Sequence, residues 1–182
     1  MISRNSRLSL RIVEKNSNFP RENASYPCPR IRKPGKPLFG TDFVRYNPDL
    51  SKFKARGGKL LMYQGWADAI VTPAMTVDYY EAVERKSGGR EGTQDFLRLF
   101  MLPGVDHCGL QPGPGADQTG YDPITALEQW VEHDVPPAVL ITTKRNKDGT
   151  LWTRPVCPYP EVAKFQGGGD RNDPARYACV EP

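Results

Sequence analysis

Two short apolar runs, separated by a helical pattern, constrain the fold of this 182-residue chain more than any other feature. Residues 59–64 and 96–102 each have the length and apolar character of a buried strand. Between them, Thr72-Pro73 has the residue types of a helix N-terminus, and Gly88-Gly89 has those of a helix end. The two runs therefore predict strands joined by a helix that begins at residue 73.

A second helix and a third strand extend this alternation. The helix is predicted to begin at Asp122-Pro123 and to end before Pro136-Pro137, and the strand covers residues 138–143. A turn at residues 147–149 then leads into residues 151–153, which predicts a hairpin. The order strand, helix, strand, helix, strand is typical of an α/β layer with a parallel sheet.

The first 48 residues differ in composition from the rest of the chain. Residues 1–40 contain nine Lys and Arg but two Glu, a net charge of +7 within a chain whose net charge is +4. Five prolines between positions 20 and 37 break any regular element. We therefore predict a basic, disordered leader over residues 1–48 and a folded domain over residues 49–182. Residues 1–18 lack the continuous apolar segment of a secretory signal peptide.

Composition also disfavours several kinds of partner. The longest apolar run, residues 96–102, is too short to span a membrane. The chain has two histidines and no Cys-x-x-Cys pair, so we expect no metal site, and we predict no cofactor. Nucleic-acid binding through residues 4–36 is an alternative. The leader lacks interleaved aromatic residues and a recognisable nucleic-acid module, however, so we expect no nucleic-acid partner.

The four cysteines, Cys28, Cys108, Cys157 and Cys179, allow three pairings into disulfides. We prefer the bond between Cys157 and Cys179, because these two residues flank a tail rich in Gly and Pro that can bury little of itself. Closing this loop of about 20 residues would stabilise the fold by about 3 kcal/mol and implies an oxidising compartment. The alternative is four reduced thiols in a cytosolic protein.

Two polar residues follow the ends of the first two strands. Asp68 lies four residues after Gln64, and His107 lies five residues after Leu102. If these strands are adjacent and parallel, both loops emerge at one edge of the sheet. An aspartate there can orient the imidazole, which then relays protons between a nucleophile and a leaving group. Two other residues are weaker candidates for a catalytic role. Asp106 is expected to point elsewhere, and His133 is expected on a helix surface.

Several segments resemble the tannase and feruloyl esterase family. Residues 58–73 (GKLLMYQGWADAIVTP) resemble the segment that bears the family's catalytic acid, and residues 100–109 (FMLPGVDHCG) resemble its His-Cys segment. The match continues at ALEQWVE (126–132), at TRPVCPYP (153–160) and at Gly169-Asp170. The resemblance covers residues 49 to 179.

The resemblance implies the C-terminal part of an α/β-hydrolase fold, with a short parallel sheet, flanking helices and a loop-rich, disulfide-stapled tail. It implies a serine-type carboxylic ester hydrolase acting on esters of aromatic acids, such as gallate or hydroxycinnamate, in a secreted or periplasmic protein. Asp68 matches the family's triad acid and His107 its base. Cys108 matches the cysteine beside that base, which in this family bonds to a cysteine directly before the nucleophilic serine.

The nucleophilic serine is missing from this pattern. In α/β-hydrolases the serine precedes the acid, and none of the six serines before Asp68 lies in a Gly-x-Ser-x-Gly elbow or follows a cysteine. We therefore expect a fragment that is inactive alone, with a missing N-terminal segment or a partner chain supplying the serine. Cys108 would then lack its family partner and would stay reduced or pair with Cys28. The alternative is a non-catalytic binding protein that uses residues 109–120 for contacts.

Overall fold

The computed structural model describes residues 47–107, 115–116 and 120–182. Residues 1–46 of the predicted leader lie outside the described residues, as do Cys28, Cys108 and most of the loop at 109–120. The leader, its boundary near residue 48, and the partners of Cys28 and Cys108 therefore stay predictions.

The described chain contains the predicted helices and strands in the predicted order, together with several short elements that the sequence did not predict. In chain order they are α1 (Ser51–Lys54), β1 (Leu60–Gly65), α2 (Pro73–Ser87), α3 (Arg90–Gln94), β2 (Leu97–Leu102), α4 (Pro123–His133), β3 (Leu140–Arg145), β4 (Leu151–Val156), β5 (Val162–Phe165), a 3₁₀ helix (Pro174–Arg176) and β6 (Tyr177–Val180). The predicted strands, helices and hairpin are all present, with small differences in their bounds.

The first two strands form the parallel pair that the sequence predicts. β1 and β2 are hydrogen-bonded in parallel, from Leu60 opposite Leu97 to Gly65 opposite Leu102. The connection is α2, which has Pro73 at its first turn and ends at Gly88 in the left-handed conformation (φ 85°). Both strands therefore run in the same direction and end side by side.

The third predicted strand does not extend this sheet. β3 pairs antiparallel with β4, from Leu140 opposite Val156 to Arg145 opposite Leu151, and within the described residues it has no ladder to β1 or β2. The edge of β2 that faces away from β1 is occupied by the start of the tail, where Phe100 forms a bridge with Pro158. β3 instead continues into the predicted hairpin through a turn in which Gly149 takes a positive φ of 84° and its N–H donates to the carbonyl of Asn146. The prediction of a third parallel strand was wrong, while the fold is α/β with a short parallel sheet.

β2 lies at the centre of the packing. Side chains of one parity pack with α2 in a first core cluster of Tyr80, Val83, Phe96, Leu97, Leu99 and Met101. Side chains of the other parity pack with the β3–β4 hairpin in a second cluster of Phe100, Leu102, Val105, Ala116, Leu140 and Val156. Because both faces of β2 are covered by apolar side chains, its carboxyl end is fixed by the core.

The tail is joined by the disulfide that we preferred from the sequence. Cys157 and Cys179 are bonded, with their Cα atoms 5.7 Å apart. The chain between them forms an antiparallel pair, β5 with β6, which the sequence analysis missed. The start of the tail also runs beside β2, where Phe100 forms a bridge with Pro158 and Tyr159 N–H donates to the carbonyl of Leu99 at 2.7 Å.

None of the helices in the described part of the chain combines the length and the apolar composition that crossing a membrane requires.

Candidate active site

The loops that follow β1 and β2 are bound to each other by their backbones. Trp66 N–H donates to the carbonyl of Leu102 at 2.9 Å, and Ala67 N–H donates to that of Val105 at 3.0 Å. These bonds continue the parallel ladder past the end of both strands. Asp68, the residue after Ala67, and His107, two residues after Val105, are therefore brought to one edge of the sheet.

Gly65 permits this close approach. A Cβ atom built on Gly65 would lie 2.1 Å from the carbonyl oxygen of Val105, which is backbone and cannot turn aside. Any side chain at position 65 would push the two loops apart. The absence of a side chain at the last residue of β1 is thus a condition for the site.

Asp68 and His107 are in direct contact. His107 Nδ1 lies 2.9 Å from Asp68 Oδ2. The carboxylate is buried, with Asp68 only 7% exposed, whereas the imidazole is partly open to solvent, with 32% of its side chain exposed. The strand spacing therefore predicted the contact correctly, because parallel neighbours deliver their following loops to the same edge.

Four donors surround the Asp68 carboxylate. Oδ1 accepts the backbone N–H groups of Ile70 and Val71, both at 2.8 Å. Oδ2 accepts Nε2 of Gln64 at 2.8 Å in addition to the His107 contact. The loop after β1 thus turns its own backbone towards the acid, and the end of the strand supplies an amide.

These hydrogen bonds determine the charge of Asp68. Burial alone would raise the pKa of the carboxyl group, because a buried charge loses its hydration. Hydrogen bonds from Val71, His107, Ile70 and Gln64 outweigh burial and lower the pKa of Asp68 to about 2. The group is therefore an anion at neutral pH and acts as a hydrogen-bond acceptor only.

The anionic acceptor fixes the tautomer of the neutral imidazole. The proton of the neutral ring must sit on Nδ1, because Asp68 Oδ2 can only accept. Nε2 then carries the lone pair that can remove a proton from a hydroxyl group, and the carboxylate stabilises the imidazolium that forms. The pair has the arrangement of a general base with its orienting acid.

Other residues considered from the sequence do not join the pair. His133 is the exposed last residue of α4. Both carboxylate oxygens of Asp106 are buried without a hydrogen-bond partner among the described residues. The described serines are Ser51 and Ser87, and neither forms a hydrogen bond with His107. Cys108 lies outside the described residues, and Cys157 and Cys179 belong to the tail.

One contacting residue was missed at the sequence level. The sequence pattern places Gln64 at the end of a strand, and a polar residue there, at the end of an apolar run and four positions before Asp68, signals a side chain with a partner. Within the described residues, no group of three or more His, Cys, Asp and Glu side chains is placed to hold a metal ion.

Comparison with known proteins shows which family the chain is similar to. The family model described as tannase and feruloyl esterase matches residues 42–180. A mono(2-hydroxyethyl) terephthalate hydrolase from Piscinibacter sakaiensis is 39% identical over 137 residues, which are 74% of this chain and 22% of that protein. A probable feruloyl esterase from Arthroderma benhamiae is 34% identical over 172 residues, 93% of this chain and 32% of that protein.

A solved structure agrees with the sequence matches. The crystal structure of feruloyl esterase B from Aspergillus oryzae superposes with a TM-score of 0.64 at 30% identity, covering 74% of this chain and 29% of that one. The chain thus spans between about a fifth and a third of the length of the proteins that it matches.

Proposed function

Because this chain belongs to the tannase and feruloyl esterase family, we propose that it carries the acid and the base of a carboxylic ester hydrolase. The observation that supports this best is the 2.9 Å contact between His107 Nδ1 and Asp68 Oδ2, at the carboxyl ends of two parallel strands. Active sites of open α/β sheets gather at that edge.

The chemistry follows from the protonation states. Nε2 of His107 takes the proton of a serine hydroxyl as its oxygen attacks the ester carbonyl, and the ring later returns that proton to the leaving alcohol. Asp68 stays an anion throughout, keeps the proton of the neutral ring on Nδ1 and stabilises the imidazolium. The substrate class is an ester of an aromatic acid, in line with the names of the relatives, which include a terephthalate monoester hydrolase and feruloyl esterases.

The nucleophile is the part that this chain does not provide. No serine of the sequence lies in a Gly-x-Ser-x-Gly elbow or follows a cysteine. We infer that the serine comes from residues outside this sequence, on a preceding segment or a partner chain, and that the chain alone is inactive. Losing the nucleophile of a cooperating triad costs about as much as losing the whole triad, roughly 10⁶-fold in kcat.

The tail supports a location outside the cytosol. The bond between Cys157 and Cys179 needs an oxidising compartment, since cytosolic thiols are kept reduced. We therefore propose a secreted or periplasmic protein.

A second function is a non-catalytic protein that binds aromatic acids on the same scaffold. The missing serine elbow favours it, because binding does not need a nucleophile. On this alternative an aromatic acid should raise the melting temperature of the chain. Variants that break the contact between Asp68 and His107 should change no rate of ester hydrolysis.

A pair of measurements tests the proposal. The chain alone should remain unlabelled by a fluorophosphonate probe and should hydrolyse methyl ferulate at the background rate, and labelling of a serine would contradict the missing nucleophile. In a chimera, residues 49–179 replace the matching C-terminal part of the Aspergillus oryzae esterase. There His107→Gln should lower kcat by about 10⁴-fold or more.

The matched control is His133→Gln, the other histidine of the chain, which is exposed at the end of α4. It should leave the chimera's kcat unchanged. Equal kcat values for the His107 and His133 variants would overturn the proposed role of His107.

A further inference from the structure

Gln64 shares one carboxylate oxygen of Asp68 with His107. Gln64 Nε2 donates to Oδ2 at 2.8 Å, and His107 Nδ1 lies 2.9 Å from the same atom. The other oxygen is held by the backbone N–H groups of Ile70 and Val71. Rotation of the carboxylate about its Cβ–Cγ bond would break bonds at both oxygens at once.

The amide of Gln64 is itself held in place. Gln64 is the penultimate residue of β1 and lies opposite Met101 of β2, so its backbone is set by the parallel ladder. Thr76 of α2 donates to its Oε1 at 3.4 Å, and its Nε2 also approaches the carbonyl of Val71 at 3.4 Å. Because an anion repels the amide oxygen, the orientation with Nε2 facing Asp68 is the stable one.

We propose that Gln64 is a positioning residue that fixes the rotation of the Asp68 carboxylate and divides the acceptor strength of Oδ2 between its own amide and His107. Two donors on one oxygen each receive a weaker bond than a single donor would. Asp68 therefore orients the Nδ1–H group of His107 without competing strongly for its proton. This inference rests on the proposed roles of Asp68 and His107 for its effect on catalysis, but not for its effect on their hydrogen bond.

Gln64→Met tests the inference, because methionine has a similar length and cannot donate a hydrogen bond. The readout is the far-downfield proton resonance of His107 Nδ1–H in the ¹⁵N-labelled chain, which a merely space-filling role of Gln64 would not move. We expect the resonance to shift further downfield, since Oδ2 then accepts a single bond, or to vanish through faster exchange if the carboxylate turns. An unchanged or upfield-shifted resonance would overturn the proposal.

Gln129→Met is the matched control, because Gln129 lies on the exposed side of α4 and its side chain has no contact with Asp68. It should leave the resonance of His107 in place. Should Gln64→Met fail to fold, Gln64→Glu keeps the shape of the side chain. At a pH where both carboxyl groups are ionised, Gln64→Glu replaces the donor by a second anion. The resonance of His107 should then also move downfield. A folded Gln64→Glu chain with the wild-type resonance would equally overturn the proposal.

Activity separates this inference from the proposed function. In the chimera, Gln64→Met should lower kcat about 10-fold with KM unchanged, as expected for a misaligned base. If the His107→Gln chimera keeps its activity, the proposed function fails, while the resonance still decides the role of Gln64. If the His107→Gln chimera is inactive but Gln64→Met changes neither kcat nor the resonance, the positioning role alone is wrong.

Discussion

The two strands that carry the site are held in different ways. β2 is buried along almost its whole length, with Leu97, Leu99 and Phe100 fully buried, and it leads to His107. β1 is half-buried, with Tyr63 47% exposed, and it leads to Asp68. The tail covers the outer edge of β2 through Pro158 and Tyr159, whereas no strand of the described residues pairs with the outer edge of β1.

The difference shows two ways to fix a side chain. The backbone that leads to His107 is held by apolar packing on both faces of β2, and the imidazole itself stays partly open to solvent. The strand before Asp68 is less tightly packed, and the Asp68 carboxylate is oriented by four hydrogen-bond donors. Changes to the core should therefore affect stability first, and changes to the donors should affect the acid first.

The largest effect is expected from the core of β2. Leu99→Ala removes a fully buried side chain and should lower the free energy of unfolding by about 4 kcal/mol, through lost burial and the cavity that remains. Leu61→Ala on the partly buried β1 should lower it by less than half of that. Urea denaturation measures both values. Equal losses would remove the contrast between the strands.

The second-largest loss of stability is expected from removing the disulfide. Replacing Cys157 and Cys179 together by alanine opens a loop with a sequence separation of 22 residues. The cost in unfolding free energy is expected to be about 3 kcal/mol. Because the tail covers β2 and not β1, hydrogen exchange should rise at the Tyr159 amide, whose acceptor is Leu99, more than along β1. Faster exchange confined to β1 would show that the tail supports the other strand.

A side chain at Gly65 should disturb both loops together. Gly65→Ala places a Cβ atom 2.1 Å from the Val105 carbonyl, and the forced displacement should cost about 2 kcal/mol. It should also separate His107 from Asp68, which a change in the His107 Nδ1–H resonance would report. A variant with wild-type stability and resonance would contradict the close approach of the loops.

Acid pH should lower the free energy of unfolding through Asp68, by a smaller amount. The folded-state pKa of Asp68, about 2, lies below its ordinary value of 3.8. The carboxylate therefore contributes stability that is complete above about pH 4 and is lost as the pH falls to 2. Asp68→Asn should flatten this part of the stability profile. Asp78→Asn, which replaces an exposed residue of α2, is the control and should keep the loss of stability that Asp68 causes at acid pH.

The smallest effect is expected at Thr76. Its hydroxyl donates to Gln64 Oε1 over 3.4 Å, which is a long hydrogen bond. Thr76→Val should change the free energy of unfolding by less than about 0.5 kcal/mol, while the His107 resonance stays within the shift seen for Gln129→Met. A larger shift would mean that the contact from Thr76 is a main support of the Gln64 amide and not a weak one.

Much of the fold and of the candidate site could be predicted from the sequence. Helix signals at Thr72-Pro73 and Gly88 are local and chemical, so the bounds of α2 followed from them. The contact between Asp68 and His107 followed from topology, since parallel neighbours end at one edge. The disulfide followed from a tail that can bury little of itself.

The remainder depends on pairing in three dimensions. The pattern of β3 identifies a strand, and the turn at Gly149 predicts its hairpin partner β4, but neither shows whether β3 also joins the sheet of β1 and β2. β5 and β6 have four residues each, too few for periodicity to identify. The role of Gln64 depends on which oxygen of Asp68 it meets, and no spacing along the chain contains that information.

The tautomer of His107 tests the central claim most directly. ¹⁵N chemical shifts of the labelled chain near neutral pH distinguish a neutral ring protonated at Nδ1 from one protonated at Nε2. If anionic Asp68 holds the ring through Nδ1, the wild-type chain should show the Nδ1–H form, and Asp68→Asn should lose it. A wild-type ring protonated at Nε2, or a tautomer that Asp68→Asn leaves unchanged, would contradict the account.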